Sequence, residues 1–217
     1  MISFKNVSKR YPDGYVALNN IDLSVEPGEM VFLTGHSGAG KSTLLKLIAA
    51  IERPTSGTIT ISGQNIAQLK LGAIPYLRRK IGFIFQDHKL LFDRNVFDNV
   101  LLPLQIGSFE NHMMVSRVRA ALDKVGLLKK EKSMPIALSG GERQRLCIAR
   151  AVVHRPSILI ADEPTGNLDV DYARDIMAMF TSFNQVGVTV LIATHDASLL
   201  EDTQHRVLSL KQGKLAV

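Results

Sequence analysis

Met30-Val31-Phe32-Leu33-Thr34-Gly35-His36-Ser37-Gly38-Ala39-Gly40-Lys41-Ser42-Thr43 is the stretch on which the fold turns. Its first four residues are apolar without a break, as in a strand buried on both faces, and such strands belong to parallel sheets covered by helices. Gly35, Gly38 and Gly40 then let successive backbone N–H groups curl around an anion. A helix expected from Lys41 turns its own unpaired N–H groups toward the same point. Strand, glycine loop and helix in that order make a phosphate cradle. In it Lys41 can neutralise β- and γ-phosphate oxygens, and the Ser42 hydroxyl can ligate Mg²⁺. His36 reads as a loop side chain near the phosphates rather than as a catalytic group.

Two further runs, at 158–161 and 188–193, are continuously apolar or nearly so and predict more strands of the same buried kind. Helices are expected between them, over 41–51 and 172–184. The N-terminal stretch differs. Ile2 and Phe4 alternate with polar residues, as do Ile21, Leu23 and Val25, then Ile59 and Ile61, which implies an antiparallel sheet with one buried face. From about 87 to 156 the pattern is helical, with Val115, Val118, Ala121, Leu122 and Val125 on one period, Gly126 as a stop, and Pro103 and Pro135 as breaks. Val207-Leu208-Ser209-Leu210 followed by Lys211-Gln212-Gly213-Lys214 reads as a closing hairpin. The expected architecture is one α/β domain over 1–217. Its core, at 1–86 and 157–217, carries an N-terminal antiparallel β-subdomain, and a helical subdomain is inserted at about 87–156.

With 217 residues and 46% hydrophobic content the chain can bury a sizeable core. The opening Met1-Ile2-Ser3-Phe4-Lys5 does not resemble a signal peptide, and no apolar run nears the roughly 18 residues that span a bilayer. A soluble chain is expected, whose membrane role would need a partner. The lone Cys147, among Leu146, Ile148 and Ala149 on a predicted helix, excludes an internal disulfide and reads as a buried, inert thiol in a reducing compartment. Net charge is +6, but the basic residues are scattered without interleaved aromatic rings, which argues against a nucleic-acid partner. The six histidines show no metal-ligand spacing.

Ser139 followed at i+3 by Glu142 reads as a capping box that opens a helix, and Gly140 and Gly141 leave its first N–H groups approachable by a second anion. Asp162 and Glu163 end the strand at 158–161. Alone they could be two solvated acids before Pro164. With a phosphate loop upstream, Asp162 can hold Mg²⁺ and Glu163 can polarise an attacking water as general base. Gln86 and His195, after two other apolar runs, would ordinarily be unexceptional polar residues.

The order of these motifs over nearly the whole chain resembles the ATP-binding cassette ATPases. That resemblance implies ATP and Mg²⁺ as ligands, with 35–42 and Thr43 on the phosphates, and Ser42, Gln86 and Asp162 on the metal. It casts Glu163 as catalytic base, His195 as the switch histidine at the γ-phosphate and Gln86 as the sensor glutamine. Tyr11 would stack on adenine and Asp169, in Gly166-Asn167-Leu168-Asp169, would lie at a dimer interface. Ser139, Gly140 and Gly141 form the signature that closes on the ATP of a second copy, so the resemblance implies a homodimer. Asp162 to Asp169 resembles the branch holding cell-division, lipoprotein-release and macrolide-export ATPases, and Asp87-His88 after Gln86 favours the cell-division members. Those work at the cytoplasmic face of the bacterial inner membrane with an integral partner, FtsX, and regulate cell-wall hydrolysis. Lipoprotein-release or macrolide-export ATPases, and a soluble cassette acting on nucleic acid or ribosomes, are the alternatives. Leu90, Leu91 and Phe92, in an otherwise polar stretch, are either core residues or part of a groove for a partner helix.

Overall fold

The computed structural model describes residues 2–107, 109–166, 168–196, 199–200 and 203–216. The alternating N-terminal segments form β1 (Ile2–Arg10), β2 (Val16–Val25) and β4 (Ser56–Ile61), which with β5 (Gln64–Asn65) make an antiparallel four-stranded sheet ordered β2-β1-β4-β5. The continuous runs become β3 (Met30–Thr34), β7 (Ile158–Asp162) and β8 (Thr189–Ala193). Together with β6 (Ile81–Ile84), β9 (Arg206–Lys211) and β10 (Lys214–Ala216) they build a six-stranded sheet ordered β10-β9-β3-β8-β7-β6, parallel except for β10.

Continuous hydrophobicity has a direct cause here. Val31, Leu33, Ile158, Ile160, Leu191 and Ala193 face one core, and Met30, Phe32, Leu159, Ala161, Val190 and Ile192 face the other. The first core lies between the two sheets and is filled by α1 (Lys41–Ile48), through Leu44, Leu45, Leu47 and Ile48. The second takes α3 (Val96–Ile106), α4 (Asn111–Lys124), α5 (Gly140–Val152) and α6 (Val170–Gln185). A short helix, α2 (Ile74–Arg78), precedes β6. Leu146, Cys147, Ile148 and Ala149 of α5 share a core with β7 and β8, so this helix belongs to the sheet as much as to its helical neighbours.

Several local expectations are corrected. Helix α1 stops at Ile48 rather than 51, because Ala50 turns to φ 50° and the Arg78 guanidinium takes the freed carbonyls of Ala49 and Ala50. Pro103 does not break the chain but lies inside α3, whose buried Val96, Val100 and Leu104 hold it in place across the lost hydrogen bond. Val115 faces solvent and Met114 takes the buried position beside Val118, Ala121 and Leu122. Pro135 opens a 3-10 turn, Pro135–Ala137, just ahead of α5.

Burial pushes the Cys147 thiol up to about 12. Only the thiolate alkylates readily. Iodoacetamide should therefore label the folded protein at less than about a hundredth of the rate in denaturant. Comparable rates would mean that α5 leaves the core on the labelling timescale.

Candidate active site

At the carboxyl ends of the parallel strands lies a cavity of about 670 Å³, bounded by residues 34–43, Gln86, Glu163, His195, Ser209, Lys211 and Tyr15. Its floor is the loop between β3 and α1. Two glycines there are obligatory for different walls. Gly35, at φ 149°, passes so close to β9 that a Cβ would lie 2.2 Å from the Leu210 carbonyl oxygen. Gly40, at φ 109°, passes β2, where a Cβ would lie 2.4 Å from the Ala17 carbonyl oxygen. The loop is thereby pressed between the antiparallel sheet and the closing hairpin.

Lys41 is buried and its Nζ donates to the Gly35 carbonyl at 2.7 Å and the His36 carbonyl at 3.4 Å. The same Nζ is 3.5 Å from Glu163 Oε1. Glu163 Oε2 in turn lies 2.7 Å from His195 Nδ1 and accepts the His195 backbone N–H at 3.3 Å. Glu163 is reached through a left-handed backbone (φ 52°), which turns its carboxylate back over the cavity. Lys41, Glu163 and His195, far apart in sequence, thus form one chain of polar contacts across the pocket.

Asp162, at the end of β7, is buried, and burial raises its pKa against the opposing pull of the Ser42 hydroxyl. Its Oδ1 has no hydrogen-bond partner. An unsatisfied carboxylate oxygen beside a hydroxyl, with the exposed Gln86 amide on the same cavity, is the hard-oxygen donor set that Mg²⁺ takes.

Two tyrosines pack together beside the cavity. Tyr15, not Tyr11, borders the cavity, and its hydroxyl donates to the Gly38 carbonyl at 2.7 Å. Tyr11 stands behind it, ring centroids 6.4 Å apart and 15° from parallel, with its hydroxyl 3.3 Å from Thr43 Oγ1. Tyr15 has no sequence signal of its own; it follows the Asp13-Gly14 turn that brings the pair together.

Ser139, Gly140, Gly141 and Asp169 are not brought to this cavity. The capping box is formed: Ser139 Oγ accepts from Glu142 N at 3.2 Å, and Glu142 Oε2 accepts from Ser139 N at 3.0 Å. Lys130 pairs with Glu142 and holds its carboxyl below the usual range. Ser139 is exposed, nothing stands near Gly140, and Gly141 is covered by the Tyr172 ring. Asp169 caps α6 by accepting from Tyr172 N at 3.0 Å. Asn167, between these elements, lies outside the described residues.

Residues 18–166 match the family model described as ABC transporter. The chain belongs to that family. Among curated relatives of this ABC ATPase, the cell division ATP-binding protein FtsE of Escherichia coli (strain K12) is 57% identical over 215 residues, covering 99% of this chain and 97% of that one. FtsE of Bacillus subtilis (strain 168) is 44% identical over 213 residues, covering 98% and 93%. A solved dimeric ATP-binding cassette in a post-hydrolysis state, bound to ADP and Pi, superposes with a TM-score of 0.92 at 34% identity, covering 100% of this chain and 97% of that one. The capping box at Ser139 is thus fully formed in a chain whose own cavity does not use it.

Proposed function

We propose that two copies of this chain close around two ATPs, each held by residues 35–43 of one copy and covered by Ser139, Gly140 and Gly141 of the other. One observation carries this: a finished capping box whose Ser139 is exposed and unused by its own cavity. The dimeric relative bound to ADP and Pi supports it. ATP entering the cavity offers Lys41 phosphate oxygens in place of the Gly35 carbonyl and Glu163. Glu163, released from that ion pair, accepts a proton from the attacking water, and His195 keeps the carboxylate aimed. Bound at Asp162, Ser42 and Gln86, Mg²⁺ would neutralise charge on the β- and γ-oxygens. The Gly38 carbonyl is engaged by Tyr15, which leaves Tyr11 and Tyr15 together as the aromatic wall for adenine.

Identity to FtsE favours a membrane partner like FtsX, whose shape ATP turnover would change to regulate cell-wall hydrolysis during division. Among the described residues no helix is long and apolar enough to cross a membrane, so attachment at the cytoplasmic face of the inner membrane would run through that partner. Of the candidate docking residues Leu90 is core, Leu91 is half-buried, and Phe92 is 53% exposed. Ser139→Arg tests the sandwich. A bulky cation at the helix start should abolish the ATP-dependent dimer while each monomer keeps its ATP affinity within about twofold, since surface changes outside a site usually cost under ~0.5 kcal/mol. Light scattering that still finds the dimer would remove 139–141 from the interface.

A further inference from the structure

Gln86 borders the cavity, and the two residues that follow Asp87 are bent in an unusual way. His88 and Lys89 both adopt left-handed backbone angles, φ 61° and 47°, which residues carrying a Cβ disfavour. Helix α5 holds this double bend from one face. Gln144, Cys147 and Arg150 recur at three-residue spacing, so they project from neighbouring positions on the same side of the helix. Cys147 Sγ donates to the His88 carbonyl at 3.4 Å, with Gln144 on the same face of the helix. Arg150 makes the strongest contact: its two terminal nitrogens donate to the His88 carbonyl and, at 2.6 Å, to the Lys89 carbonyl. A planar guanidinium can take two adjacent carbonyls at fixed angles, which an ammonium cannot.

The other end of α5 is the Ser139 capping box. From Ser139 to Arg150 the helix runs about 16 Å at 1.5 Å per residue. Its middle is buried among β7, β8 and the neighbouring helices, so the two ends move together. We propose that Arg150 is a positioning residue that couples the two ATP sites of the dimer: it fastens α5, whose first turn covers the partner copy's nucleotide, to the segment that carries Gln86 into its own cavity. The coupling rests on the two-copy reading above. ATP under 139–141 of one chain then sets the position of Gln86 over the other ATP, so each site reports its occupancy to its neighbour through a rigid helix.

Steady-state turnover of the full chain against ATP, for Arg150→Met and Arg150→Lys, tests this. Arg150→Met keeps the length and loses every donor. Its kcat should fall at least about tenfold, with KM changed less than about twofold and the Hill coefficient dropping from above one to about one, in the range expected for a lost coupling. Arg150→Lys, which keeps charge and one donor, should fall by about threefold and carries the test if the Met variant does not fold. A role confined to packing would lower the melting temperature and leave the Hill coefficient of the folded fraction alone; that result overturns the proposal. Dimerisation of Glu163→Gln by ATP separates the two ideas. A dimer that forms while wild-type turnover is non-cooperative sinks the coupling and spares the sandwich. A Glu163→Gln chain that stays monomeric sinks the sandwich, and the coupling with it.

Discussion

Glu163→Gln is expected to lower ATP turnover by at least about a hundredfold, the lower bound for removing a general base from a positioned water. The amide keeps the size of the carboxylate and can still meet His195 Nδ1, now 2.7 Å from Glu163 Oε2, so the cavity keeps its shape. What it loses is the capacity to take a proton. Its attraction to Lys41 weakens as well, and that attraction competes with nucleotide for the same ammonium. ATP affinity should therefore hold or rise. With ATP bound and chemistry stopped, nothing reopens the two-copy sandwich, and light scattering at saturating ATP should find a dimer. A variant that hydrolyses ATP near the wild-type rate would move the base elsewhere. Among the described residues Glu163 is the one carboxylate that borders the cavity, and the adjacent Asp162 is buried at the end of β7 with a free Oδ1 that suits a metal.

Lys41→Ala should weaken ATP binding by at least about tenfold, since hydrogen bonds to charged groups are worth about 1.5–3 kcal/mol each. Two effects add here. Loss of the ammonium leaves phosphate charge uncompensated in a closed site. It also leaves Glu163 without the nearest cation to its Oε1, so a carboxylate with a side chain only 9% exposed faces the phosphates directly. Both effects disfavour ATP, and neither is recovered by the loop backbone, whose glycine geometry is set by β2 and β9 rather than by Lys41. Calorimetry should read the loss directly. Unchanged affinity would show that backbone N–H groups alone hold the phosphates and that Lys41 is an internal tether for Gly35 and His36.

The parallel sheet was readable because burial on both faces leaves a continuous mark, and residues 30–33 and 158–161 carry it without a polar interruption. The antiparallel sheet was readable for the opposite reason, one face only being buried at Ile2, Phe4, Ile59 and Ile61. Local chemistry was equally legible: Ser139 and Glu142 cap α5 through bonds that span three residues. What sequence could not supply depends on packing between distant elements. Pro103 reads as a break until the stripe of Val96, Val100 and Leu104 is seen to hold the helix through it. Val115 and Met114 are adjacent apolar residues, and only the position of the core chooses between them. Asn99 looks ordinary, yet it is fully buried and binds both the N–H and the carbonyl of Leu91 at 2.9 Å, fixing the loop after Leu90. The bond from Glu163 to His195 spans 32 residues of sequence and has no local signature.

Strand β3, which delivers the chain to the phosphate cradle, pairs with β8 on one side and β9 on the other. Both of its neighbours lie far downstream of it in the sequence. A nascent chain therefore carries its nucleotide loop long before it owns a sheet to mount that loop on. Until residues 189–193 have emerged β3 has no partner, and until residues 206–211 follow, the Leu210 backbone that backs Gly35 is missing. A chain cut before β9 is expected to hold ATP poorly, because Gly35 loses the Leu210 backbone that shapes it. Strand order makes the mounting of the loop wait on residues 189–193 and 206–211.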